Sequence, residues 1–185
     1  MKPDNAGASK EDFKPPPHIV GVLGDDFKVK VDDEEAVAYL QSREFGIQTE
    51  DGVVLDPVEA LYLMRRGVLE VRDRDGRELS FAEFLTELSE KERDAWIKLE
   101  VYTDLRKRGL YVKPSYTREA SFLVDKKKKG KLERYIVYIF TEGKRIGFAE
   151  LEKAFERAMA SNRELVIAVV DKEGNVSFYT VTKMR

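Results

Sequence analysis

The sequence predicts an α/β protein, with an α+β N-terminal domain followed by a C-terminal α/β domain built on a mixed sheet. Three observations carry this. Strand-like runs and amphipathic helices alternate along most of the chain. The continuous apolar stretch Leu165–Val170 reads as a central strand buried on both faces. Near residue 90 the first set of elements gives way to a second, which sets the expected domains at 18–90 and 91–185.

Residues Met1–Pro17, polar and closed by three prolines, are expected to form a flexible tail. "HIVGVLGDDFKVKV" then gives two short strands around a turn at Gly24-Asp25-Asp26. In "DDEEAVAYLQS" the acidic residues lie in the first turn of a helix, where the macrodipole favours negative charge. The next helix, "LDPVEALYLMRRG", has Asp56 as N-cap, Pro57 at its first position and Gly67 at its stop, with Leu61, Leu63 and Met64 on the apolar side. "VLEV" is a short strand and "DRDG" a turn. Ser80 and Glu83 form a capping box that opens the helix "SFAEFLTELS". A further helix is expected from Lys91 to Arg108, with Trp96, Leu99, Tyr102 and Leu105 along one side and Gly109 as its stop. Strands "LYVKP", "SFLVD" and "RYIVYIF" follow, then the amphipathic helix "GFAELEKAFERAMAS", the central strand "ELVIAVVD", a "KEGN" turn and the last strand "VSFYTV".

Composition narrows the function without naming it. In 185 residues, 33 Lys and Arg nearly balance 35 Asp and Glu, so bulk charge points to neither nucleic acid nor membrane, and any such signal must be local. The absence of cysteine excludes disulfides and thiolate metal sites and suits the cytoplasm, and a lone histidine, His18, excludes a multi-histidine metal centre. No apolar run approaches the ~20 residues that span a bilayer. No apolar core of a signal peptide opens the chain. A metal-dependent site combining Asp125 with Glu142 and Lys144 fails on distance, because the length of a strand, about 20 Å, lies between the two carboxylates.

Several phrases together carry a resemblance: "AVAYLQSREFG", "LDPVEALYLMRRGVLEV", "EVYTDLRKRGLYVKP", "SFLVD", "RYIVYIF" and "ELVIAVVDKEGNVSFYTV". In order and spacing they resemble the archaeal tRNA-intron (tRNA-splicing) endonucleases, from about Val20 to Lys183. The resemblance implies a nuclease-like fold for the C-terminal domain and metal-free cleavage of precursor tRNA at bulge-helix-bulge junctions, leaving a 2′,3′-cyclic phosphate and a 5′-hydroxyl, with no cofactor. Such chemistry needs a base for the 2′-hydroxyl, an acid for the leaving oxygen and a cation for the crowded phosphate. The family supplies tyrosine, histidine and lysine.

At the corresponding places this chain carries Asp125, Leu132 or a residue next to it, and Glu164, with Arg163 taking the last place if the gap shifts by one. Leucine donates no proton, and a carboxylate repels the charge that builds up on the phosphate. The resemblance is therefore to the non-catalytic, structural subunit of the heterotetrameric enzymes, in which two catalytic and two structural chains assemble on precursor tRNA. A self-sufficient nuclease using Asp125 and Arg163, or an RNA-binding module on the same fold, are the alternatives.

Other residues are read beside plainer roles. Lys126, Lys127, Lys128 and Lys129 are candidates for RNA phosphate contact, or gatekeepers on a solvated hairpin tip. Arg157, seven residues before Glu164, matches a family arginine that grips a bulged base, or is simply exposed on its helix. Asp171 and Glu173 sit where the family carries an acidic loop that docks into a basic pocket of a facing subunit. Phe178, on the last strand, is expected at a subunit interface.

Overall fold

The computed structural model describes residues 16–115, 117 and 121–182, so all but the last two residues of the expected tail lie outside the described residues. The N-terminal half is a mixed sheet. Its strands β1 (Ile19–Leu23), β2 (Val29–Val31), β3 (Ile47–Thr49), β4 (Gly52–Leu55), β5 (Leu69–Arg72) and β6 (Glu78–Leu79) lie in the order β3-β4-β2-β1-β5-β6, with β1 and β5 parallel. Helix α1 (Glu34–Ser42) follows β2 and is capped by the Asp33 carboxylate, which accepts from the Ala36 N–H. Helix α2 (Pro57–Arg65) has a full capping box between Asp56 and Glu59, and Pro57 through Leu63 are all buried. A helix buried around its whole circumference needs apolar partners on every side. It finds them in the first sheet, in α3 (Phe81–Lys91) and in α4 (Ala95–Lys107).

The second sheet runs β11-β10-β9-β8-β7, from β7 (Tyr111–Pro114), β8 (Phe122–Lys128), β9 (Lys131–Thr141), β10 (Glu164–Val170) and β11 (Val176–Val181). All its pairs are antiparallel except β9 with β10, which the crossover helix α5 (Phe148–Ala160) joins. Helix α4 packs between α2 and this sheet. One apolar core therefore runs from Ile19 in β1 through both sheets to Val170 in β10. Within it the rings of Phe45, Tyr62, Tyr102 and Phe122 form a chain with neighbouring centroids 5.4–6.1 Å apart. Such pairs add to area burial through their edge and face quadrupoles. A second cluster, including Ile136, Tyr138, Ala154, Ala158 and Leu165, lies between the sheet and α5.

Three features differ from the sequence expectation. The long helix begins at Ala95 rather than Lys91: Lys91 ends α3, and Glu92 is extended (φ -121, ψ 94). That break lets α3 and α4 both pack on α2 while α4 also reaches the second sheet. Trp96, expected on the apolar side of that helix, is 48% exposed and lies against the Arg65 guanidinium. Strand β8 does not stop at Asp125 but continues to Lys128, and the hairpin turn is Lys129-Gly130, both with positive φ. Two consecutive left-handed residues match the twist of paired strands, so the arms lengthen and Asp125 falls within the ladder.

Candidate functional site

Strands β8, β9 and β10 lie side by side beside α5, and alternation along them sorts the candidate residues onto two faces. Asp125 pairs with Arg134 and Lys127 with Leu132, on the face shared with Leu123 and Ile136 beneath α5. Lys126, Glu133 and Tyr135 belong to the opposite face, and so does Glu164, which pairs with Tyr135. Arg163, one residue earlier, reaches the first face. Its Nη1 donates to Asp125 Oδ1 at 2.8 Å and lies 3.2 Å from the Tyr135 carbonyl and 3.4 Å from that of Val124. Both side chains are largely shielded, 16% exposed for Arg163 and 32% for Asp125. Of the two residues the sequence leaves for the cation's place, Arg163 is the one facing Asp125. Leu132, 43% exposed, shares this face two pairs closer to the hairpin tip.

Several other proton-bearing groups nearby are already engaged. The Tyr135 hydroxyl donates to Glu133 Oε2 at 3.0 Å, and Lys126 stands 3.4 Å from the same oxygen. That hydroxyl, with Lys126 and Lys128, holds the Glu133 carboxyl below its usual range, while burial and then Glu133 push the Tyr135 phenol up. Lys127 pairs with Glu44 at 2.6 Å and lies 4.5 Å above the Tyr111 ring. Tyr111 pairs with Asp125 from β7, a neighbour that sequence reasoning did not single out. His18 contacts Glu70 at 3.2 Å in the first sheet. Lys128 and Lys129 are exposed at the tip, and Arg157 is exposed on α5. Among the described residues no three His, Cys, Asp or Glu side chains gather as a metal site.

The family model for the catalytic C-terminal domain of tRNA intron endonuclease matches residues 95–178, and the model for its N-terminal domain matches residues 20–85. The tRNA-splicing endonuclease of Thermococcus onnurineus is 33% identical over 150 residues, 80% of this chain and 86% of that protein. This chain belongs to the tRNA intron endonuclease family. The tRNA-splicing endonuclease of Methanococcus maripaludis is 28% identical over 170 residues, 91% of this chain and 96% of that protein. That of Methanosarcina mazei is 33% identical over 152 residues, 80% of this chain but 42% of that protein, so the chain spans less than half of that relative.

The remaining candidates of this chain fall at the rim of the second sheet. Asp171 caps its own turn, accepting from the Glu173 and Asn175 N–H groups and from the Asn175 amide; these bonds, the Asn175 amide first, hold its carboxyl below the usual range. Glu173 is exposed beside it. Phe178 packs toward the main core, with the Arg108 guanidinium 5.0 Å from its ring centroid. Its neighbour Tyr179, on the other face of edge strand β11, is 58% exposed. Phe148, Leu151, Phe155 and Met159 of α5 line an apolar groove with Val181. A separate cleft of about 470 Å³ between the two halves is lined by Arg43, Arg66 and Arg106 with Tyr39, Tyr62 and Tyr111, and by no carboxylate. No helix among the described residues is long and apolar enough to cross a membrane.

Proposed function

We propose that this chain is the structural, catalytically silent subunit of a tRNA-splicing endonuclease, assembling two-plus-two with a catalytic chain on precursor tRNA. The observation that carries the reading is the pair Asp125–Arg163 with Leu132 on the same face. Transesterification at phosphorus needs a proton acceptor, a proton donor and a free positive charge. Leu132 offers no proton, and Arg163 is neutralised by the carboxylate it touches, leaving the exposed Arg134 as a cation on this face. Tyr135, which carries a titratable hydroxyl, points to the opposite face and donates to Glu133.

Two surfaces support a role in assembly. The exposed apolar groove on α5 lies beside the open edge of β11, and unpaired edges are templates for pairing with another chain. The arginine-lined cleft is complementary to an acidic loop of a facing subunit, and the Asp171–Glu173 turn of this chain has the reciprocal charge. The RNA itself would meet the exposed Lys128 and Lys129 rather than Lys126 and Lys127, which already hold carboxylates.

The test is reconstitution. The purified chain alone should leave a bulge-helix-bulge RNA intact in EDTA, and mixing it with a catalytic homologue should give a four-chain complex that cuts the RNA. Cleavage by this chain alone would overturn the reading and make Tyr111, beside Asp125, the first residue to substitute.

A further inference from the structure

Arg163 and Asp125, 38 residues apart in sequence, meet in a shielded ion pair. Only the Nη1 atom of the guanidinium is used. Its Nε and Nη2 take no partner among the described residues. Arg134, directly opposite Asp125 in the ladder, is exposed on the same face. The patch thus holds two guanidinium groups, those of Arg163 and Arg134, flanking one carboxylate. We propose that Asp125 is a specificity-determining residue that masks Arg163, so that this subunit declines the RNA phosphate its fold would otherwise capture.

The proposal rests on the silent-subunit reading and adds a reason for the carboxylate. A subunit that gripped the backbone where no chemistry follows would hold RNA in an unproductive pose, since binding that does not distinguish the transition state contributes nothing to turnover. An uncharged residue at 125 would leave a partly desolvated arginine beside an exposed one, and such a pair recruits phosphate through charge-assisted bonds. With aspartate in place, an arriving phosphate meets a carboxylate of its own sign in contact with the cation.

Asp125→Asn keeps the acceptor oxygen and the side-chain shape while removing the charge. Filter binding of a bulge-helix-bulge RNA to the full chain, titrated with salt, should show three- to tenfold tighter binding at low salt. The slope of log K against log salt should steepen by close to one, about 0.7–0.9 per phosphate gained. Asp125→Asn combined with Arg163→Gln should lose that gain. A role confined to stability would lower the melting temperature and leave the salt slope alone. Should Asp125→Asn fail to fold, Arg163→Gln decides: a masked arginine leaves affinity and slope at the wild-type values, whereas a drop in both means that Arg163 already grips phosphate, and masking is wrong. Unchanged affinity in a folded Asp125→Asn overturns the proposal equally. Cleavage by the unpartnered wild type would sink the silent-subunit reading while leaving the salt slope to judge the masking separately.

Discussion

Glu59 is the one buried charged side chain among the described residues, 2% exposed, with its two oxygens accepting from the Gly46 and Asp56 N–H groups at 3.1 and 3.0 Å. Burial pushes its carboxyl up to about 7, the two N–H groups pulling back and nearby Asp56 adding to the rise. The folded protein therefore holds this proton more tightly than the unfolded chain does. The associated stability is complete below about pH 4.5 and is lost as pH rises through about 7. Urea unfolding between pH 4.5 and 8 should show the wild type losing roughly 3 kcal/mol relative to Glu59→Gln, whose own stability has no such term. Parallel pH profiles would remove Glu59 as the cause. From sequence, Glu59 reads as an ordinary third residue of a helix. Its burial depends on Gly46, thirteen residues earlier, closing over it. The choice between Arg163 and Glu164 was similarly out of reach, because a one-residue step in a strand changes the face and only the register with β9 fixes it.

At the scale of elements, the local signals were the most readable. Asp56, Pro57, Ser80 and Glu83 mark helix starts that the structure reproduces with both capping boxes formed. These motifs satisfy orphan N–H groups within a few residues, so no distant partner is needed. The β3–β4 hairpin was not legible, since Ile47, Gln48 and Thr49 are all exposed and lack the alternation that marks a half-buried strand. Gly52 carries the backbone demand there. Its φ is +141, and a Cβ would stand 2.1 Å from the Val31 carbonyl oxygen. Gly52→Ala should cost roughly 3 kcal/mol or more in chemical denaturation, by forcing β4 away from β2. A loss below about 1 kcal/mol would mean that the hairpin shifts without strain.

For the whole molecule, the α5 groove and the β11 edge are features that an isolated chain has little reason to expose. Phe148 is 83% and Met159 65% exposed. Met159→Glu should leave the unfolding free energy within about 0.5 kcal/mol, as substitutions on open surface do. It should nevertheless weaken assembly with the proposed catalytic chain at least tenfold in sedimentation velocity. Unimpaired assembly would assign the groove to something other than subunit pairing. The sequence by itself determined the order and kind of most elements and the family, because these are properties of short stretches and their spacing. The tertiary structure decided that Arg163 meets Asp125, that Lys126 and Lys127 are already paired, and that the two halves share one core. Each of these depends on strand register and helix docking, where residues tens of positions apart meet and a shift of one residue reverses the face presented.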